Sequence, residues 1–272
     1  MTNSEVVKGY MHHLNLEAEA PSHRFLEKIC TAQLNTFPFE NIGKLLHQQS
    51  SSFTIPSFEK FVSNFQKFNF GGTCYTLNAN LLLLLRALGF DCHHVMLGNE
   101  HMGIVVILDD AFYVDCGAAA PFFKPVRLND ENNNNVRFGK DEVSILPVDS
   151  KDSDYKYIRY TNGKQSGKVW HFQSTEKANI NDFQKVIEES YKPDATFMTI
   201  LRCQLYQTNL QRSVSLVNNK FSIRYENGEI ETTALSTKQE IMAVMADEFF
   251  LPKLPVEEAV DALERRGIDI FS

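Results

Sequence analysis

The stretch from Phe70 to Gly89 constrains this chain most. It reads Phe-Gly-Gly-Thr-Cys, then continues through strong helix formers from Cys74 to Leu88, including five consecutive leucines from Leu81 to Leu85, and closes at Gly89. Gly89 suits the left-handed residue that ends a helix, and the leucine face must be buried against other elements. The run is far too short to cross a bilayer. The spacing therefore predicts one buried helix around which the rest must pack, with Cys74 in its first turn. Gly71 and Gly72 allow a tight turn just before it and leave the sulfur approachable.

The other elements divide by texture. Helices are predicted at Ser4 to Leu14, at Ser22 to Asn35 after Pro21, and at Ser57 to Phe68, where Phe58, Phe61 and Phe65 share one face. Phe37-Pro38-Phe39-Glu40-Asn41 interrupts them, since Pro38 holds Phe37 extended. Beyond Gly89 short β-branched or apolar runs take over: His93 to Met96, Met102 to Leu108, Ala111 to Val114, Val143 to Pro147, Tyr155 to Tyr160 and Val169 to Phe172. Asp109-Asp110 and Asn162-Gly163 read as turns, and the polar Asn129 to Asn135 as a surface loop. A helix at Asn181 to Ser190 precedes strands at Met198 to Tyr206, Arg212 to Leu216 and Phe221 to Tyr225. Helices from Thr237 to Phe249, with Glu240 placed for a capping box, and from Pro255 to Arg266 end the pattern. The expectation is an α+β chain in three parts: residues 1–90 helical and carrying the nucleophile, 91–190 an antiparallel β-barrel, and 191–272 mixed α/β.

Charge and composition narrow the function. The net charge is −7, with no dense Lys/Arg block, so a nucleic-acid partner is not expected. The N-terminus lacks a basic segment followed by an apolar run, so the expected location is cytoplasmic, without membrane attachment. Five widely spaced cysteines with no CxxC pair read as free thiols. Cys30, Cys92, Cys116 and Cys203 are expected in the packing, and the absence of HExxH or a Cys/His quartet argues against a metal centre. Gly71-Gly72 lacks the spacing of a phosphate loop.

Cys74 is the cysteine placed for chemistry, because a helix N-terminus and a nearby imidazolium both favour a thiolate. His101 opens one predicted strand and Asp115 closes the next. With Asp109-Asp110 as the turn between them, the two fall side by side at one sheet edge, where the acid holds the imidazole in the required tautomer. The order Cys, His, acid is that of papain-like thiol enzymes. Read without other context, each of the three also has a structural explanation: a small buried thiol, a strand-opening histidine, and an aspartate capping Gly117.

Three blocks taken together resemble the arylamine N-acetyltransferases of bacterial type. They are Phe37-Pro38-Phe39-Glu40-Asn41-Ile42, Gly71-Gly72-Thr73-Cys74-Tyr75-Thr76-Leu77-Asn78, and His101 through Tyr113-Val114-Asp115-Cys116-Gly117. Weaker similarity runs through Trp170-His171-Phe172, Asp182-Phe183 and Phe197 to the helix ending near Phe249. The resemblance implies a cysteine-proteinase-like architecture of helical bundle, β-barrel and α/β lid. It also implies a Cys74, His101, Asp115 triad, acetyl-CoA as acyl donor, and ping-pong transfer to an arylamine, hydrazine or arylhydroxylamine acceptor. The chain departs from the family pattern in several places. Phe70 stands where the family has Arg, Thr76 where it has Glu, and Gly117-Ala118-Ala119-Ala120 where it has Gly-Phe-Gly, and the loop between Val95 and His101 is short. These departures leave the acceptor open. They also keep in view an acyltransferase or amide synthase of the same fold with another acyl donor, and a non-catalytic small-molecule binder.

Overall fold

The computed structural model describes residues 3–47, 54–130, 134–148 and 154–272. The helical stretch comprises α1 (Asn3–Leu14), α2 (His23–Thr36), a two-residue strand β1 (Phe39–Glu40), α3 (Ile42–His47), α4 (Phe58–Phe68) and α5 (Cys74–Ala87). Helices begin where a side-chain oxygen meets a first-turn N–H group. Ser22 accepts from Phe25 N at 3.2 Å to open α2, and Ser57 accepts from Lys60 N at 3.3 Å to open α4. The end of α5 is set by Gly89, whose φ is +90°. Gly89 N donates to Arg86 O, and Phe90 N donates to Leu85 O, both at 3.0 Å, which is the paired closure of a glycine-terminated helix. Leu81, Leu82, Leu84 and Leu85 are buried and Leu83 is exposed. Burying each such leucine is worth about 2 kcal/mol, so the leucine face fixes how the helix lies on the sheet beneath it.

That sheet opens the β-rich stretch: β2 (Asp91–Leu97), β3 (His101–Ile107), β4 (Ala111–Val114), β5 (Val126–Arg127), β6 (Asn135–Phe138), β7 (Asp141–Pro147), β8 (Asp154–Thr161) and β9 (Lys164–Gln173). The strands form two four-stranded antiparallel sheets, in the orders β2-β3-β4-β5 and β6-β7-β8-β9. The α+β fold is as expected, but among the described residues the two sheets do not close into one hydrogen-bonded barrel. Gly98 and Asn99, both at positive φ, turn the chain at the end of β2. A single bond, Gly98 N to His171 O at 3.0 Å, joins the end of β2 to β9, and Ala178 N, beyond β9, donates to His94 O at 2.9 Å. The core nevertheless runs through both, from Leu81 and Val105 to Ile145 and Tyr157. Residues 131–133 of the Asn-rich loop and the side chain of His47 lie outside the described residues.

A 3-10 turn (Ile180–Phe183) leads into α6 (Gln184–Glu189), then α7 (Thr196–Thr199), β10 (Arg202–Gln207), β11 (Arg212–Val217), β12 (Lys220–Tyr225), β13 (Ile230–Ala234), α8 (Lys238–Asp247) and α9 (Val256–Glu264). Thr237 accepts from Glu240 N at 3.2 Å, while the Glu240 carboxylate reaches Ser236 N at 2.6 Å, one residue beyond a capping box. The strand expected from Met198 starts only at Arg202. Asn41 is the cause: its amide donates to Phe197 O and Ile200 O at 2.8 and 2.7 Å, and its carbonyl accepts from Arg202 N at 2.8 Å. A side chain over 150 residues away in sequence thus folds this segment into a helical turn. The five-stranded sheet has the order β1-β10-β11-β12-β13, with Phe39 opposite Gln204 and Glu40 opposite Cys203. The proline-interrupted block therefore supplies an edge strand to a sheet formed mainly by the C-terminal residues.

Candidate active site

Cys74 is placed by the two glycines before it. Gly72 N donates to Pro38 O at 3.3 Å, and Glu40 N donates to Gly72 O at 3.0 Å. A Cβ on Gly71 would lie 2.0 Å from Pro38 O, and Gly72 has φ +139°. The pair is thus a close backbone seam against β1, not only a turn. Thr73 is the N-cap and makes no capping hydrogen bond with its side chain, so it does not occupy the first-turn N–H groups of α5. Cys74 is half-buried.

The β3–β4 hairpin brings up the other two candidates. Ile107 faces Ala111 and Ile104 faces Val114 across the Asp109-Asp110 turn. This register sets His101, the first residue of β3, diagonally across from Asp115, one residue beyond β4. His101 Nε2 and Asp115 Oδ2 are 2.7 Å apart. With Nε2 engaged, Nδ1 is the ring nitrogen left for Cys74, which joins Asp115 in raising the imidazole pKa. Gly117 closes the arrangement: a Cβ there would lie 2.8 Å from Cys74 Cα, so strand end and helix start are in contact. The structure thus brings Cys74, His101 and Asp115 together.

Asp115 is fully buried and accepts four hydrogen bonds. Besides His101, Oδ2 accepts from the Tyr113 hydroxyl at 2.9 Å, while Oδ1 accepts from Asn78 Nδ2 at 2.8 Å and Gly117 N at 3.2 Å. Gly103 makes room, since a Cβ there would sit 2.7 Å from the Tyr113 hydroxyl. Burial by itself lowers the pKa of His101. The charge and hydrogen bond of Asp115, joined by those of Cys74, outweigh it and raise the ring from the ordinary 6.5 to about 10. The site can therefore hold an imidazolium at neutral pH beside a cysteine, the arrangement that favours a nucleophilic thiolate.

Three supporting residues escape sequence reasoning as site residues. Asn78, one turn after Cys74, donates to both Asp115 and Met102 O, the latter at 2.6 Å, and ties α5 to β3. A buried amide on a leucine-faced helix is the signal that could have found it, because such a group needs partners. Tyr113, two residues before Asp115, carries no such signal. Trp170, on β9, stacks on His101 with ring centroids 4.6 Å apart and planes within 6°. It donates from Nε1 to Glu100 Oε1 at 2.7 Å. A Cβ on Gly98 would fall 2.5 Å from the indole, so the short loop noted in the sequence is the space this ring occupies.

The remaining candidates lie elsewhere. Cys30, Cys92, Cys116 and Cys203 are buried, and burial pushes the Cys92 thiol up to about 11 and those of Cys116 and Cys203 well above the usual value. His93 Nε2 meets Ser174 O at 2.8 Å, and burial lowers His94 to about 4. No group of three potential metal-ligating side chains occurs among the described residues. A cleft of about 210 Å³ opens at the start of α5, lined by Thr73, Tyr75 and Thr76 on one side and by Lys44, Ile55 and Tyr191 on the other.

The chain matches a family model described as N-acetyltransferase over residues 24–255. No curated protein sequence matches it. Among solved structures it is similar to the arylamine N-acetyltransferase from Salmonella typhimurium, with a TM-score of 0.79 at 16% identity, over 96% of this chain and 98% of that one. It is similar to the arylamine N-acetyltransferase from Mycobacterium abscessus, with a TM-score of 0.75 at 18% identity, over 97% and 96%. The Mycobacterium marinum enzyme in complex with CoA gives a TM-score of 0.74 at 17% identity, over 96% and 97%. At these identities the structural likeness is one of fold.

Proposed function

As the chain belongs to the N-acetyltransferase family, a family of enzymes, we propose that it is an arylamine N-acetyltransferase that carries the acetyl group of acetyl-CoA on Cys74. One observation supports this reading above the rest: His101 and Asp115 form a buried pair 2.7 Å apart beside Cys74 at a helix start, with the imidazole favoured in its charged form.

In the first half-reaction the Cys74 thiolate attacks the thioester carbonyl of acetyl-CoA. The tetrahedral oxyanion is met by backbone N–H groups at the start of α5. Collapse breaks the C–S bond to CoA, and His101 gives the departing thiolate its proton. In the second half the acceptor nitrogen attacks the acetyl-cysteine carbonyl, His101 takes the nitrogen's proton, and Cys74 leaves as thiolate. Arylamine, hydrazine and arylhydroxylamine nitrogens are the acceptors in this reading. Asp115 holds the ring so that one nitrogen faces the sulfur throughout, and the four donors around its carboxylate keep it in place. No metal takes part. Among the described residues no helix is long and apolar enough to cross a membrane, and the proposed setting is the cytoplasm, where a reducing environment keeps Cys74 a free thiol.

Steady-state rates measured across a grid of acetyl-CoA and arylamine concentrations test the two-stage route. Parallel double-reciprocal lines are expected, because CoA leaves before the amine reacts. Lines that converge would show that both substrates must be bound before any transfer, and would overturn the acetyl-cysteine route.

A further inference from the structure

The five-stranded sheet has two faces of opposite character. Across β10 and β11, Cys203 lies opposite Leu216 and Leu205 opposite Val214, and these four belong to the core shared with α8 and α9. The other face is polar. Gln204 lies opposite Ser215 and Tyr206 opposite Ser213, with Arg202 beginning the row on β10. Ser213 in turn lies opposite Arg224 of β12. Cross-strand partners carry their side chains on one side of the sheet, about 5 Å apart, so Arg202 and Arg224 share the polar face.

Three guanidiniums converge there on the Gln204 and Ser215 pair. Arg202 donates to Gln204 Oε1 at 2.5 Å, and Arg224 donates to Ser215 Oγ at 2.7 Å. Arg159, reaching over from β8, donates to Ala119 O at 3.1 Å, and the same carbonyl accepts from Gln204 Nε2 at 3.2 Å. Among the described residues Asp141 lies 3.6 Å from Arg159, and neither Arg202 nor Arg224 has a carboxylate within ion-pair distance. Three positive charges thus meet one negative charge, an excess of two. Gln204, Ser213 and Ser215 are buried and form a closed floor, while the three arginines are half-buried and stay within reach of solvent. Burial, and then the charges of Arg224 and Arg159, lower Arg202 from 12.5 to about 10.

Tyr206 supplies a second, independent observation. It is only 3% exposed, set edge-on against Phe123 and Phe138 with ring centroids 4.9 and 5.4 Å away. Its hydroxyl has no hydrogen-bond partner among the described residues, although a buried hydroxyl is normally paired. It lies on the polar face, two residues along β10 from Gln204. An excess of two positive charges, forked N–H donors and a spare O–H donor match a phosphate dianion, whose oxygens accept several hydrogen bonds at once. A carboxylate brings one charge and two oxygens, and leaves part of this set unused.

We propose that the polar face of the five-stranded sheet is a phosphate-binding site, in which Arg159, Arg202, Arg224 and Tyr206 donate to one phosphate group. The site goes beyond the acetyl-transfer reading and does not depend on it. Its ligand is inorganic phosphate or a phosphate group carried by a larger molecule, coenzyme A included.

The test titrates full-length protein, without acyl donor, with inorganic phosphate by calorimetry, chloride holding the ionic strength constant. Wild type, Arg202→Gln, Arg224→Gln and Tyr206→Phe are compared, and thermal unfolding in chloride reports that each folds. Binding at one site is expected in wild type. It is expected about tenfold weaker in each arginine variant, the worth of one charged hydrogen bond, and about threefold weaker or more in Tyr206→Phe. The tyrosine variant separates binding from structure, because its hydroxyl bonds nothing in the fold. It is expected to unfold in chloride at the wild-type temperature or above, yet to gain less stability from phosphate. No binding to wild type, or equal binding in all four proteins, overturns the proposal. Repeating the wild-type titration on protein saturated with coenzyme A or with 3′-dephospho-coenzyme A distinguishes the sources. Blockade by coenzyme A alone identifies its ribose phosphate as the ligand, blockade by both identifies its diphosphate, and blockade by neither identifies free phosphate. None of these readings requires an acetylated Cys74, so failure of the acetyl-cysteine route is read separately, by intact mass.

Discussion

Replacing Asp115 by Asn tests the site where its chemistry and its packing are least separable. The carboxylate accepts two donors on each oxygen: His101 and Tyr113 on one, Asn78 and Gly117 on the other. An amide presents one oxygen and one NH₂, so either orientation sets its own donors against two of these four and leaves them unpaired. Two lost hydrogen bonds to a buried charge amount to about 3 to 6 kcal/mol of stability. The effect on rate follows from the ring. His101 is held at about 10 in the intact site. Without the Asp115 charge, burial is opposed by Cys74 alone, and the ring falls well below its value in the intact site. At pH 7.5 the imidazolium, nearly fully populated before, is then less populated. Loss of the correct tautomer compounds this, and in a Ser-His-Asp triad the equivalent change costs about 10⁴ in kcat. A fall of roughly 10² to 10⁴ in the rate of Cys74 acetylation is therefore expected, timed by rapid-quench release of CoA between pH 6 and 10. The pH profile of stability is expected to change too. A ring raised from 6.5 to about 10 stabilises the fold fully below pH 6.5 and loses that contribution as the pH rises through 10. The variant is expected to lack this alkaline decline. Acetylation within about threefold of wild type, with an unchanged pH profile, would refute the assignment of Asp115.

Three further outcomes follow from the geometry. Trp170→Leu removes the indole face from the charged imidazole, a contact worth about 1 to 2 kcal/mol when desolvated. The alkaline fall-off of Cys74 acetylation is then expected about one pH unit lower, with Trp170→Phe intermediate, and an unmoved profile makes the stack passive packing. Glu40 is held at about 7 by burial, so its folded form retains a proton that the unfolded chain loses, and stability falls as the pH rises from about 4.5 through 7. Glu40→Gln is expected to flatten that fall, gaining up to roughly 3 kcal/mol over wild type above pH 7 in urea unfolding, and parallel pH profiles contradict this. Gly71→Ala forces a Cβ to within 2.0 Å of Pro38 O unless the backbone seam opens. A loss of roughly 3 kcal/mol is expected in the same assay, and a loss below about 0.5 kcal/mol contradicts the close approach.

The parts of the site readable from sequence are those fixed over short distances. Gly89 and Ser22 mark helix ends through local hydrogen bonding, and the three-residue loop from Leu108 to Asp110 sets the register that brings His101 near Asp115. What sequence left out depends on long-range contacts. Trp170 reaches His101 from the other sheet, almost seventy residues on, and no local pattern marks it. Asn41 rewrites the conformation of residues 197–202 by side-chain bonds across the fold. β2 and β9 meet through the bond from Gly98 N to His171 O, which alternation of apolar residues along each strand does not encode. Phe39–Glu40 joins a distant sheet as a strand too short to show a period.

The central claim is that Cys74 carries the acyl group, and the intact mass of the protein after brief mixing with acetyl-CoA alone tests it most directly. A gain of about 42 Da, one acetyl group, is expected in wild type, confined to the peptide containing Cys74, with equimolar CoA released and no gain in Cys74→Ala. An equal gain in Cys74→Ala, or neither adduct nor free CoA in wild type, would contradict it.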